Sequence, residues 1–283
     1  ADTKLLDWDG TLKLNILPLF LKEDEGKHTL NTQVTFADHQ YSNNNSWFRP
    51  STSTLAINSG YAGEASRSYA KERQYILEWL ANYTGSYGKN NLKAMAGYSY
   101  QYSQYEGFDI SNKDFPNDGL GSDNMGSGEL AKEEGEVLMG SYKNDAKLIS
   151  FFGRVSYDYD GKYLLTASIR HEGSSKFGAS HKWGDFPAFS AGWRISQEEF
   201  MASTRSWLND LKIRGDFGVT GNQDFGSYLS INTMSGFGYY FYQGKYYQVW
   251  GPGKNVNPDL KWEKGKNWNV GIDFAMFNSR FYG

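Results

Sequence analysis

The chain has 283 residues and contains no cysteine, 6 prolines and a formal charge of only −3. Without cysteine there is neither a disulfide framework nor a thiolate metal site. The near-neutral charge argues against nucleic acid as a partner, which needs a concentrated basic face. No stretch reaches the roughly 18 consecutive apolar residues of a membrane-crossing helix, and the mean hydropathy is −0.66. A transmembrane helix is therefore excluded. A transmembrane barrel is not, because only alternate residues of its strands meet lipid.

Catalytic and metal constellations are also missing. No motif fixes the separation of the carboxylates in Asp158 with Asp160, or in Glu133 with Glu134, and a glycosidic pair is defined by that separation. His28, His39, His171 and His181 lack helical i,i+4 spacing and read as loop or polar-face residues. Asp118, Asp123 and Asn124 do not follow the spacing of a calcium-binding loop. The glycines of 119–128 and Gly173-Ser174-Ser175 lack the Lys-Ser/Thr ending of a phosphate loop. The sequence thus assigns no catalytic residue, metal ligand or cofactor, and predicts that the chain is not an enzyme.

What is present is aromatic residues (17%), 32 glycines and a recurring two-residue period. In 151–196, Val155, Tyr157 and Tyr159, then Tyr163, Leu165, Ala167 and Ile169, fall on one parity. Arg154, Ser156 and Asp158, then Leu164, Thr166, Ser168 and Arg170, fall on the other. Successive strand side chains point to opposite faces, so this is one apolar and one largely polar surface. Phe189, Ala191, Trp193 and Ile195 repeat the pattern after a polar loop. Similar strands are expected at 12–20, 28–40, 75–83, 92–100, 211–220 and 267–276, about nine in all. A tenth would begin after 278–280.

The connections alternate strictly. Short ones fall at 22–27, 85–91, Asp160-Gly161, 197–208 (a helical turn) and 278–280. Long ones fall at 41–70, 106–147, 172–185 and 221–262, the last with the pattern of its own hairpin. Transmembrane barrels have short periplasmic turns and long extracellular loops, whereas nothing in a sandwich requires this parity. The strands run about 9 to 12 residues, enough to cross a bilayer at a tilt. Tyr157, Tyr159 and Tyr163 crowd one turn as an interfacial girdle would. A sheet in lipid must close, and bacterial single-chain barrels have even strand numbers. About nine strands and the lack of a secretory leader therefore predict a processed or truncated piece of a larger barrel. The competing readings are a secreted, soluble all-β carbohydrate-binding or adhesion module, and a passive porin.

Lumen-facing charges are expected at Arg154, Arg170, Arg194, Arg214 and Asp216, which share the polar parity. Trp47, Tyr61, Trp183, Tyr239, Tyr242, Tyr246 and Trp250 fall in the long loops. Flat aromatic faces there can stack on sugars, meet a partner protein or pack the loops on one another.

The second half also carries ordered motifs. They include Phe152-Gly153-Arg154-Val155, Lys162-Tyr163-Leu164-Leu165-Thr166-Ala167-Ser168 and Gly173-Ser174-Ser175-Lys176-Phe177-Gly178. Phe186-Pro187, Ser190-Ala191-Gly192-Trp193-Arg194-Ile195, Thr220-Gly221-Asn222 and Asn257-Pro258-Asp259-Leu260-Lys261-Trp262-Glu263 follow, then Asn269-Val270-Gly271-Ile272-Asp273-Phe274. This run resembles the barrel of the SusC/RagA family of TonB-dependent outer-membrane transporters, with Glu172 where the family usually has Asp. The resemblance implies an all-β antiparallel transmembrane barrel of 22 strands, of which residues 1–283 are one segment without the N-terminal plug. It implies the outer membrane of a Gram-negative bacterium and import of an oligosaccharide or peptide. Its implied partners are a SusD-like surface lipoprotein, outer-membrane lipid and, through N-terminal parts not recognisable here, TonB with ExbB and ExbD. The lumen charges would pair with each other or with the plug.

Overall fold

The computed structural model describes residues 1–17, 27–130 and 138–283. The turn at 22–26, the end of the first expected strand (18–20) and the Glu133-Glu134 pair lie outside the described residues. Ten antiparallel strands form one meandering sheet: β1 (Asp2–Asn15), β2 (His28–Arg49), β3 (Glu64–Tyr87), β4 (Asn90–Lys113), β5 (Met139–Tyr159), β6 (Tyr163–Ser174), β7 (Trp183–Arg194), β8 (Leu208–Asn222), β11 (Glu263–Met276) and β12 (Phe281–Tyr282). Strands β9 (Met234–Tyr242) and β10 (Lys245–Pro252) form a separate hairpin between β8 and β11.

The register turns the two-residue period into two continuous surfaces. Leu30, Tyr83, Ala94, Val155, Ala167, Phe189, Phe217 and Trp268 are successive cross-strand partners and form one apolar row. Partners directly opposite in an antiparallel ladder lie on the same face. One residue along, the row reads Asn31, Asn82, Met95, Arg154, Ser168, Ala188, Gly218 and Asn267. The apolar face stays open: Val155 is 48%, Ile169 53% and Phe189 51% exposed. This is the inverse of a two-layer soluble fold, where such residues would be buried against a second sheet.

The turns between strands follow from local chemistry. Asp160 and Gly161 both have positive φ (57° and 67°), and the Lys162 N–H donates to the Tyr159 carbonyl at 2.9 Å. That is the mirror-image turn whose twist matches the flanking strands. The expected helical turn at 197–208 consists of 3-10 segments, Ile195–Gln197 and Glu199–Thr204.

Strand lengths differ from the sequence expectation. The first strand occupies Asp2–Asn15 rather than starting near 12. Much of the stretches expected as loops at 41–70 and 106–147 is strand, because β2, β3 and β4 run 22, 24 and 24 residues. What connects β2 to β3 is residues 50–63, including the helix Thr54–Ser59, capped by Ser53 and ended at Gly60 (φ 77°). Where both faces of a strand meet water, the apolar alternation stops while the backbone ladder continues. The boundary is visible on the apolar parity of β2 and β3, where Arg73 donates to Asp38 at 3.3 and 3.0 Å.

Buried apolar side chains are few among the described residues. A cluster of Phe177, Phe186 and Trp262 joins three of the sequence motifs at the long-loop end. The Gly178 N–H donates to the Leu260 carbonyl at 3.0 Å, and Trp262 Nε1 donates to the Lys182 carbonyl at 3.0 Å. A Cβ on Gly178 would lie 1.7 Å from the Pro258 oxygen, so only glycine permits this approach.

Candidate functional site

The polar face of the sheet carries the expected lumen charges, and the register places all five on it. Three of them, all arginines, are paired with carboxylates within the sheet, and Asp216 is held by a neutral amide. Arg170 donates to Glu172 at 2.9 and 3.0 Å and to the Ser150 hydroxyl at 2.9 Å, with its guanidinium 5.2 Å from the Phe152 ring centre. Arg214 donates to Asp273 at 3.1 Å, and Lys212 reaches the other carboxylate oxygen at 2.7 Å. Arg194 lies 3.4 Å from Asp210. Asp216 accepts from the Asn269 amide at 3.3 Å.

Arg154 differs. Among the described residues no carboxylate lies within ion-pair distance of it. It borders, with Asp216, a hollow of about 320 Å³ whose lining includes Ser168, Ala188, Ser190 and Gly218. Small side chains on three adjacent strands leave the guanidinium accessible from the polar face. Sequence parity could find Arg154, but not that it lacks the partner the other arginines have.

The seven aromatic candidates do not converge. Tyr239 and Tyr242 on β9 and Tyr246 and Trp250 on β10 share the separate hairpin, each about half exposed at 46%, 52%, 56% and 58%. Phe237, Tyr240, Phe241 and Tyr247, outside the seven candidates, join them. Tyr240 and Tyr242 stack at 6.1 Å, and Phe241 meets Tyr246 at 5.0 Å. The Tyr/Phe runs 239–242 and 246–247 on either side of Gln243-Gly244, both at positive φ, were the available signal for a tight hairpin.

The other three lie elsewhere. Trp47 is in β2 on the polar parity, with the Arg49 guanidinium 5.1 Å from its ring. The Tyr61 hydroxyl donates to Glu64 at 3.0 Å and accepts from Arg49 at 3.0 Å, while the Lys113 ammonium sits 4.6 Å above its ring. Trp183 opens β7 on the apolar parity and stacks on His171 at 4.6 Å, beside Phe151. Asp118, among the glycines of the long β4–β5 connection, accepts from the Ser51 N–H and hydroxyl, both at 2.9 Å.

At the opposite, short-turn end, Glu198 collects donors from Tyr163 at 2.6 Å, Trp193 at 3.0 Å and Lys162 at 3.4 Å. The Tyr163 hydroxyl, then the Trp193 indole, hold its carboxyl below the usual glutamate range. An amphipathic aromatic pair tied to a solvated carboxylate is what an interfacial girdle needs.

Comparison with known proteins agrees with this geometry. A family model described as "TonB dependent receptor-like, beta-barrel" matches residues 3–283. The chain is 37% identical over 201 residues to TonB-dependent receptor P39 of Formosa agariphila, covering 70% of this chain and 18% of that protein. It is 30% identical over 262 residues to TonB-dependent receptor SusC of Bacteroides thetaiotaomicron, covering 91% of this chain and 23% of SusC. The chain thus spans under a quarter of the length of either curated relative. Its fold superposes on the structure of the RagAB peptide transporter with a TM-score of 0.77 at 21% identity, over 99% of this chain and 29% of that one. An open, one-layer antiparallel sheet with an apolar outer and a polar inner face, matched over nearly its whole length by a barrel family, leads to one assignment: the chain belongs to the TonB-dependent receptor β-barrel family, and it forms wall of an outer-membrane barrel.

Proposed function

We propose that this wall belongs to an importer of the SusC type that moves an oligosaccharide or peptide across the outer membrane. A SusD-like surface lipoprotein would close it from outside, and a TonB-coupled plug would gate it from within. The family match over residues 3–283 carries the reading, and the names of the relatives support nutrient import. In this reading the sheet's outward face meets lipid. Arg154, the one sheet arginine of the five lumen charges without a carboxylate among the described residues, meets an acidic group of the plug or substrate. The aromatic hairpin β9–β10 lies where a lid or its cargo would contact the barrel rim.

The test uses the full-length protein in its native membrane. Uptake of the cognate nutrient should stop when the proton gradient is dissipated, and a tagged transporter should recover a lipid-anchored surface protein in near-equal amount. Removal of 234–252 should lower that recovery while the barrel still inserts. Uptake that persists without the gradient would instead establish a passive porin, and the importer reading would fall.

A further inference from the structure

The apolar face changes character along one line across β2–β5. Below it, towards the short turns, outward positions such as Phe36, Leu77, Tyr98 and Phe151 carry no charge. The next row up reads Asp38, Tyr75, Tyr102 and Lys147, the one above it Gln40, Arg73, Gln104 and Asp145, and the third Ser42, Lys71, Glu106 and Lys143. On β5 the line lies 12 residues from Tyr159 by sequence number. That is about 40 Å along the strand, or about 30 Å of height at the usual barrel tilt. The apolar band of such barrels is about 25 Å tall. Lys147 therefore stands at the outer headgroup level, on the side that faces lipid rather than the lumen.

A groove of about 600 Å³ opens at this line, lined by Phe36, Tyr75, Leu77, Tyr100, Tyr102 and Lys147. Its walls are aromatic and aliphatic, and its only charged lining group is at the top. Tyr75 and Tyr102 stack at 6.1 Å, with the Arg73 guanidinium 4.3 Å from one ring centre and the Lys147 ammonium 5.9 Å from the other. The cations of this region are not equivalent. Arg73 is neutralised by Asp38 at 3.0 Å, and Lys143 by Glu106 at 3.1 Å. Among the described residues no carboxylate lies within ion-pair distance of Lys147 or Lys71. The groove thus combines an apolar trough open to the hydrocarbon with unmatched positive charge at the headgroup level.

We propose that the groove holds an acyl chain of a phosphorylated outer-leaflet lipid, whose phosphate meets Lys147 and Lys71. Only a lipid approaches this face; Asp38 and Glu106 are taken up by Arg73 and Lys143, and Asp145 by the Tyr228 hydroxyl, so the charge left for a headgroup is that of Lys147 and Lys71. The Lys147 ammonium sits 5.9 Å from the Tyr102 ring centre, and a long cationic side chain at a membrane interface can extend its charge to the polar layer. The Tyr75–Tyr102 pair stands in the same row as Lys147, at the top of the acyl trough. Lipid bound here would brace the three longest strands where they leave the membrane.

The experiment takes the full-length protein from its native outer membrane in mild detergent and measures phosphorylated lipid retained per protein by native mass spectrometry. Each lysine near an anionic membrane surface contributes about a fivefold factor. Lys147→Glu with Lys71→Glu should lower retention by at least that much, Lys147→Arg should keep it, and Lys245→Glu on the distant hairpin should leave it unchanged. Retention unaffected by the double substitution, or lowered equally by Lys245→Glu, would overturn the proposal. A second measurement needs no variant. Delipidated wild-type protein is offered an acylated glucosamine phosphate or its dephosphorylated form. Preference for the phosphorylated lipid is expected, and equal uptake of both would overturn the assignment of the lysines.

Discussion

Glu198 shows how a single residue ties the wall to the membrane edge. It accepts from Tyr163, Trp193 and Lys162 on three segments, and these contacts hold its folded pKa below the ordinary value of 4.5. A depressed carboxylate stabilises the fold above its unfolded pKa, and that contribution is lost as pH falls through the folded one. Thermal unfolding of the detergent-solubilised protein should therefore weaken on acidification below 4.5, and Glu198→Gln should flatten that part of the profile. At the lumen face, Arg154→Ala should lower uptake with little change in melting temperature. Arg214→Ala removes a bond to Asp273 and should cost about 1 kcal/mol or less, as exposed pairs do. Gly178→Ala should be more damaging than either, since its Cβ would meet the Pro258 oxygen. A protease-accessibility assay on the long-loop end would reveal the opened clamp.

At the scale of the element, the same strand obeys different rules along its length. In the belt, Val155 lies on the apolar face and its neighbour Arg154 on the polar one, which the proposed wall turns to lipid and to the lumen. Val155→Arg should cost about 2–4 kcal/mol, the penalty for a cation near the bilayer midplane. Thr166→Arg, on the lumen parity of β6, should be tolerated; equal losses in an unfolding titration from lipid vesicles would contradict the assignment of faces. Higher on β2–β4 the distinction fades. Residues such as Asn43, Ser68 and Gln104 alternate polar with polar, so sequence patterning could not tell this extension from loop. The hairpin β9–β10 is a third case. Both of its faces are aromatic and exposed, its tight Gln243-Gly244 turn was readable, and its separation from the sheet was not.

At the scale of the whole molecule, stability is not stored in a core. The sheet pairs strands that are almost all sequence neighbours, and the large apolar side chains of the belt remain open. Its β1 and β12 edges present unpaired backbone groups, which hydrocarbon cannot satisfy. Residues 1–283 alone should therefore give no cooperative melt in detergent-free buffer. A sharp two-state transition there, followed by near-ultraviolet circular dichroism, would contradict a membrane wall.

The sequence by itself determined the all-β class, the two faces of each belt strand and the alternation of short and long connections. It could do so because lipid on one side and a polar lumen on the other write a two-residue period directly into the chain. The motifs 173–178 and 257–263 were equally legible, but their meeting through Gly178 and Trp262 was not. Nor was the pairing of three polar-face arginines beside an unpaired Arg154, or the cations gathered around Tyr75 and Tyr102. These depend on register carried across several strands, and only the tertiary structure fixes which rows come into line.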